Sequence, residues 1–545
     1  LHPILHSFPT RRSSDLNVLG QYFTPSHIAR IMVDLIESPR ESKILEPSAG
    51  EGVFLDVLHE AGYSNIEGIE IDSSLKQNVM HTVHHESFVS WMKDGEYSAV
   101  IGNPPYIRWK NLEEFQKNEI KEHPLWGKLF NSLSDYLTVF IANAIRNLRD
   151  GGELIFITPS FWMHTLHSEN LRSWMLSQGT FSHIINFGES NVFQGVSSSI
   201  IIFRFVKNAQ IQEIQFYEYG GPRKVSESIS LNGDEFKKFM IPQFTAGEQW
   251  IFADRKTLND IAELEDACTM TAETDDLFDE KVRRVALLGD YVHIANGMVS
   301  GLDKAFRWDV PVDNLNEAEQ AALATVVKGK DIKNVYMEGS SRYIDIPEGL
   351  TESDVASKYP SLYEQLVSYK EKLIERYSYQ RSLPFWEWAF KRSQKYFYTE
   401  IPKIFVPCKE RVTNKESARF CLVPAGVVAT QDVTAFSPLE DTRESIEYIL
   451  AYLVHPRVTA WYRYKGLMKG GIAEFSEKPL ASIPFRYIDW DNDEDIAFHD
   501  LVTNTIRESV SENVAYEEII VRIINLFKSV KNRNIHYDTN ISEGS

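Results

Sequence analysis

The chain has 545 residues, enough for two or three domains that each bury a core of their own. A hydrophobic fraction of 43% and a charged fraction of 25% are those of a globular protein, and the net charge of -20 weighs against general attraction to a polyanion. No apolar run is long enough to span a bilayer and no secretory pattern opens the chain; the three scattered cysteines, Cys268, Cys408 and Cys421, argue against a disulfide framework and offer no metal-like spacing. The expected compartment is the cytoplasm, with no structural metal.

Residues 1–16 (LHPILHSFPTRRSSDL) differ in texture from the rest of the chain and are expected to be a non-native leader outside the fold. From Asn17 helices and short apolar strands alternate. SHIARIMVDLIES has helical spacing, KILEP is a strand, GVFLDVLHEAG a helix and NIEGIEID a second strand. YSAVIGNPPY is a strand that breaks at a Pro-Pro turn, and LTVFIANAIRNLRDGGELIFITP is a helix, a Gly-Gly turn and a strand. SHIINFG and SSSIIIFRFV supply later strands. This βαβ alternation predicts an α/β domain with a mostly parallel, doubly wound sheet. Past residue 280 the texture shifts to short strands and aromatic clusters, with helices at 352–377 and 441–453 and amphipathic helices after 495.

Charge is unevenly distributed. Basic and acidic residues nearly balance over 281–480, where 391–420 is basic and aromatic and 461–471 (WYRYKGLMKGG) holds no acid. A basic strip on an acidic protein fits DNA at one face. Lys395, Lys409, Arg411, Lys415, Arg463, Lys465 and Lys469 are the candidate DNA-binding residues.

Two motifs carry the chemistry. In LEPSAGEGVFLDVL (45–58) a strand delivers Glu46, and Gly50 and Gly52 let the following loop approach a ligand closely. The next strand ends in GIEID, where Glu70, or alternatively Asp72, is placed to accept the ribose hydroxyls of an adenosine. In IGNPPY (101–106) the Asn103 side-chain oxygen and the Pro104 carbonyl are acceptors for an exocyclic amine, and Tyr106 offers a flat face to an extruded base. Drawing the adenine N6 toward sp3 character would free its lone pair for a methyl donor, without a general base before transfer.

With these residues the chain resembles Rossmann-like class I methyltransferases, whose loop reads acid-Pro-x-x-Gly-x-Gly. GQYFTP (20–25) resembles the segment that covers the methionine end of the cofactor, which implies a contact from Thr24; capping of the helix at Ser26 is the other reading. The third motif departs from the family, where an Asp before Phe binds the adenine amino group. Here HHESFVSW leaves the role to Glu86 or Ser87, with Phe88 stacking nearby. The resemblance also puts Phe140 against the adenine, and Pro105 on the cofactor side of the catalytic turn. VFQGVSSSIIIFRF (192–205) is similar to the motif whose aromatic, here Phe193, closes the other wall around the flipped base.

The motif order, with all large extra sequence C-terminal, resembles the gamma class (TaqI-like) of DNA adenine-N6 methyltransferases of restriction–modification systems. NGMVSGLDKAF (296–306), VVKGKDIKNVY (326–336), IPKIFVP (401–407), YKGLMKGGIAEF (464–475) and IPF (483–485) resemble that branch's recognition domain. The implied organisation is a catalytic domain over 17–270, a mixed α+β target-recognition domain over 271–490, and C-terminal helices and tail over 491–545. The implied cofactor is S-adenosyl-L-methionine, and the implied partner is double-stranded DNA, with a separate cognate restriction endonuclease or none. A protein-glutamine or RNA methyltransferase sharing the catalytic turn, and a catalytically silent DNA-binding subunit, are the alternatives.

Overall fold

The computed structural model describes residues 23–75, 81–132, 134–193, 199–272, 282–376, 383–413, 415–469 and 471–529, and the expected leader lies outside them. Contacts divide the chain into two compact units, 1–256 and 257–545.

In the first unit, short apolar runs become the strands β1 (Ile44–Glu46), β2 (Ile66–Ile69), β3 (Thr82–His84), β4 (Tyr97–Gly102), β5 (Leu148–Pro159), β6 (Gly179–Gly188), β7 (Ile200–Lys207), β8 (Glu213–Tyr219) and β9 (Phe236–Pro242). They form one sheet in the order β3-β2-β1-β4-β5-β7-β6-β8-β9. The first five are parallel, as the βαβ pattern predicts. β7 instead runs antiparallel to both β5 and β6. The link from Gly188 to Ile200 is too short for a helical crossover, so the chain returns as a hairpin-like pair. β8 and β9, not expected from the sequence, extend this far edge.

Alternate strand residues face opposite sides of the sheet. Ile44, Ala99, Ile101, Ile155 and Ile157 bury against helices α1 (Ser26–Val33) and α2 (Val53–Glu60) through Ile28, Met32, Phe54 and Leu58. Leu45, Val100, Leu154 and Phe156 bury against Leu137, Phe140 and Ile141 of a later helix over Tyr136–Asn147 and against Leu171 and Met175 of Glu169–Gln178. In α1, Ile28, Ile31 and Met32 recur at the helical interval, which explains why this segment is a helix with one buried face.

One ionic group lies inside this core. Arg204 on β7 pairs with Glu153 on β5 at 2.9 Å, and both side chains are nearly inaccessible. Glu153 also accepts the amides of Glu37 (3.0 Å) and Ser38 (2.7 Å), which fixes the chain leaving the α1 region.

The second unit begins with residue 257, not 271. Ile261 and Leu264, on a helix over Arg255–Ala267, pack in one cluster with Leu450, Phe498, Val502 and Ile523. The expected boundary at 490 is likewise absent from the packing. Helices Asp493–Ser511 and Tyr516–Ser529 have an apolar face to bury, and this shared core covers it. Among the described residues this unit also holds two four-stranded sheets, a three-stranded sheet and a two-stranded sheet over Thr269–Ala272 and Val282–Val285, so it is mixed α and β.

Glu153→Ala should remove the buried carboxylate partner of Arg204, leaving it the exposed Glu37 at 2.7 Å, and take the acceptor from the Glu37 and Ser38 amides, destabilising the first unit by about 3 kcal/mol in urea denaturation. A loss of about 1 kcal/mol or less is what a solvent-screened pair would give, and would remove this group from the determinants of stability.

Candidate active site

The C-terminal ends of β3, β2, β1 and β4 lie side by side in that order, and a cleft crosses them. Ser87 and Phe88 line it after β3, Glu70 and Ile71 after β2, Pro47, Ser48 and Gly50 after β1, and Asn103 and Pro105 after β4. In an open parallel sheet this is where ligands bind, because the loops diverge there and helix N-termini converge.

The β1 loop is built around backbone that favours glycine. Gly50 has φ +55° and Gly52, the residue before α2, has φ +91°. The Gly50 amide donates to Glu70 Oε2 at 2.7 Å and the Asp72 amide donates to Oε1 at 2.8 Å, so Glu70 is held at the cleft with lone pairs remaining on both oxygens. Asp72 is spent on its own turn, accepting the Ser74 amide at 3.0 Å. Of the two sequence candidates the structure therefore brings Glu70 to the cleft. Glu46 lies behind the loop, 1% exposed, and neither it nor Gly52 lines the cleft. Its Oε2 has no hydrogen-bond partner among the described residues, and burial, reinforced by the Glu70 charge, holds its carboxyl well above the ordinary value.

At the β3 end the cleft is apolar on its floor and polar at its rim. Phe88 packs on Phe140 with centroids 5.1 Å apart, and both line the cleft with Ile71 and Ile107. Asn143, fully buried, donates to the Phe88 carbonyl at 2.6 Å and fixes this turn. Glu86 and Ser87 both line the cleft; Glu86 is exposed, while Ser87 caps the turn that Phe88 begins. Gln116 and Tyr136, which motif reading missed, are buried polar groups on the same wall.

The Asn103–Tyr106 turn is tied to two remote segments. Ser48 Oγ donates to the Asn103 carbonyl at 3.0 Å, and Asn103 Nδ2 donates to Thr24 Oγ1 at 3.1 Å. The side-chain oxygen of Asn103 is thereby turned toward Tyr106, whose hydroxyl donates to it and also lies 2.7 Å from the Ile157 carbonyl. Gly102 permits this approach, since a Cβ there would sit 3.3 Å from Pro47. Thr24 accepts from Asn103. It does not line the cleft, and it does not cap α1, whose first turn bonds to the Pro25 carbonyl; it orients Asn103. Phe23 beside it lines the cleft instead.

A second cleft opens on the far side of the turn, over the ends of β4 and β5. Tyr106, Ile107, Arg108 and Lys110 line it with Asp135, Pro159, Phe161 and His167. Ile107 is common to both clefts, so the Asn103–Tyr106 turn is the partition between them. Burial holds the Asp135 carboxyl above its ordinary value, with Arg108 and His167 pulling it back. The structure does not bring Phe193 here. It is 4% exposed and packs with Ile185, Phe187 and Ile202 in the cluster on the α1–α2 face, while Tyr106 packs against the opposite cluster. The exposed aromatic of the second cleft is Phe161.

In the second unit the seven candidate cations separate. Lys465 pairs with Glu265 at 2.7 Å, Lys415 with the buried Glu410 at 2.6 Å, and Arg463 donates to the Val412 carbonyl at 3.0 Å. These hold the unit together. Lys409, Arg411 and Lys469 lie in the three-stranded sheet formed by Lys409–Arg411, Ile472–Glu474 and Met468–Lys469. Arg411 and Lys469 both pair with Ile472, and Lys409 is two residues from Arg411, so the three share one exposed face. Lys469 also reaches Glu474. Lys395 is exposed on a short helix, Gln394–Phe397. Among the described residues no group of three or more His, Cys, Asp or Glu could hold a metal ion, and no helix is long and apolar enough to cross a membrane.

The family model described as Eco57I restriction-modification methylase matches residues 52–193, and that described as N-6 DNA Methylase matches residues 4–70. The type II methyltransferase M.HindII of Haemophilus influenzae is 40% identical over 512 residues, 93% of this chain and 96% of that protein. The type II methyltransferase M.HincII of Haemophilus influenzae is 39% identical over 93% of this chain and 96% of its own. A solved structure of the type IIL restriction-modification enzyme MmeI in complex with DNA superposes with a TM-score of 0.55 at 12% identity, covering 94% of this chain and 73% of that one, a likeness of fold.

The raised carboxyl of Glu46 gives a pH signature. Its neutral form is favoured in the fold, so stability falls as pH rises from the unfolded value of about 4.3 toward the higher folded value. Glu46→Gln, which does not titrate, should escape this fall, and the stability difference in its favour should grow as pH rises above about 4.3 in paired urea denaturations. A difference that does not change with pH would mean that Glu46 is charged in the fold.

Proposed function

Because the chain belongs to the family of type II methyltransferases of restriction–modification systems, we propose that it transfers a methyl group from S-adenosylmethionine to the exocyclic N6 of an adenine extruded from double-stranded DNA. The observation that carries this reading is the position of Asn103. It stands in the wall between a cleft with adenosine-accepting groups and a second cleft lined by Tyr106, with its carboxamide orientation fixed by Thr24.

The first cleft fits the cofactor on its own chemistry. Glu70 can accept two ribose hydroxyls, the left-handed Gly50 backbone leaves room at the loop, and Ile71, Phe88 and Phe140 form an apolar slot for a flat base. The bound cofactor supplies an electrophilic methyl group on sulfur.

The protein's part is positioning and polarisation. Asn103 Oδ1 and the Pro104 carbonyl accept the two amino hydrogens of the target base, and the amine nitrogen is drawn toward sp3 character with its lone pair directed at the first cleft. To admit the amine, the Tyr106 hydroxyl gives up Asn103 and keeps the Ile157 carbonyl, which already lies within hydrogen-bond distance. The Tyr106 ring stacks on the base and returns about 1 to 3 kcal/mol of the few kcal/mol that extrusion costs. Arg108, Lys110 and His167 at the second cleft attract the flanking phosphates, while Lys395, Lys409, Arg411 and Lys469 track the backbone from the second unit.

Asn103→Ala should lower methyl transfer into duplex DNA by ~10²-fold or more while S-adenosylhomocysteine affinity stays close to wild type. Sequencing of DNA from cells expressing the active protein should place the new methyl on adenine N6; modification at cytosine alone would overturn the reading. Lys409→Ala combined with Arg411→Ala should weaken DNA binding across all sequences and flatten its logarithmic salt dependence by about 1 to 2. An unchanged slope would show that this face does not meet phosphates.

A further inference from the structure

In the family that the third motif resembles an acid stands before Phe; here Ser87 stands before Phe88, with Glu86 one position earlier. Strand order says which end of the cleft this is. Asn103, where the chemistry occurs, follows β4, and Ser87 follows β3 at the other end of the four-strand row. A ligand whose reactive group lies at Asn103 and whose ribose lies at Glu70 therefore puts its base beside Ser87.

A hydroxyl alone is a poor discriminator of an amino group, because it rotates and can donate or accept. Ser87 is not left to rotate. Its Oγ donates to Glu119 Oε2 at 2.7 Å, and the other carboxylate oxygen of Glu119 takes the Ser90 hydroxyl at 2.5 Å. Glu119 comes from helix α3 (Glu114–Glu122), in the segment that follows the catalytic turn. The first turn of α3 is capped by Gln116, whose side chain accepts the Glu113 amide at 3.0 Å and which lines the cleft one helical turn before Glu119. The Glu119 carboxylate does not line the cleft itself, so it can act on a ligand only through Ser87. Glu86, the other sequence candidate, lines the cleft but stands exposed to water.

We propose that Glu119 is a positioning residue that commits the Ser87 hydrogen, so that the Ser87 oxygen, which already takes the Val89 amide at 3.3 Å, can meet a ligand only as an acceptor and the cofactor site selects a purine bearing an exocyclic amine. The carboxylate that the third motif lacks is thus supplied from a different helix, one atom further from the ligand. This rests on the S-adenosylmethionine reading above. No group is transferred in this step; the polarity of one hydrogen bond is fixed.

The test compares two ligands that differ at that edge, S-adenosylhomocysteine and S-inosylhomocysteine, by calorimetric titration of the full chain. In the second the amine is a carbonyl oxygen, which would face the Ser87 lone pair. The wild type should prefer the adenosyl ligand by ~10-fold or more, the worth of one hydrogen bond plus the repulsion that replaces it. Glu119→Gln and Ser87→Ala should both lose most of that preference, with the affinity for the inosyl ligand unchanged or improved, and Glu86→Ala should retain it. An equal loss of affinity for both ligands in Glu119→Gln would reveal a merely structural role and overturn the proposal, as would loss of the preference in Glu86→Ala alone. A wild type that binds both ligands equally would overturn this inference and leave the cofactor reading standing. Failure of the wild type to bind either ligand would overturn the cofactor reading and this inference with it.

Discussion

The arrangement depends on the hydrogen bonds that converge on Asn103. Its carbonyl takes the Ser48 hydroxyl from the loop after β1, its amide nitrogen reaches Thr24 ahead of α1, and its amide oxygen meets Tyr106. A carboxamide has distinguishable ends, and committing the nitrogen to Thr24 decides which end remains for a donor. The same contacts set the spacing between the glycine loop and the catalytic turn, so the two clefts have one fixed wall between them. Because β1 and β4 are hydrogen-bonded neighbours, about 4.8 Å apart, no long loop is needed to bring these residues together.

Electrostatics in this acidic protein are local. The net charge of -20 describes none of the regions that matter. Glu153 is paired with Arg204 in the first unit, and in the second the buried Glu410 takes Lys415 and Arg419 and Glu265 takes Lys465, so much of the basic character read from 391–420 and 461–471 is spent on partners within the second unit. Exposed cations remain on a narrower surface: the outward face holding Lys409, Arg411 and Lys469, the last paired with Glu474, and Lys395. The first unit carries cations of its own, Arg108 and Lys110, directly after the catalytic turn. They stand in the sequence as the RWK that comes after NPPYI, too short a run to register as a basic cluster.

Elements governed by local rules were readable. The helices over Ser26–Val33 and Val53–Glu60 follow from apolar spacing, and the glycine loop from the backbone angles that only glycine adopts cheaply. The strand ending at Gly102 and its Asn-Pro-Pro break are likewise local. Residues whose role depends on what lies across the fold were not. Phe193 follows a loop and precedes a strand whichever face it buries on, and its sequence neighbourhood holds no sign of the cluster it joins. Thr24 looks like a helix start in sequence, and Glu119 like one of many surface acids on a polar helix; each acquires meaning only from a partner 79 or 32 residues away.

The sequence by itself determined the α/β alternation, the glycine loop after the first strand, the carboxylate pair from which Glu70 was drawn, and the Asn-Pro-Pro break after Gly102. Each is set by side-chain periodicity or by a short stretch of constrained backbone, both of which are written within a few residues of one another. The tertiary structure alone decided that Glu70 rather than Asp72 faces the cleft, that β7 returns antiparallel, that 257–270 and 491–529 share a core with the second unit, and which lysines are spent on internal partners. These are outcomes of pairing between segments far apart in the chain. A hydrogen bond or ion pair of that kind depends on where two backbones come to rest, and no local pattern of residue types encodes that position.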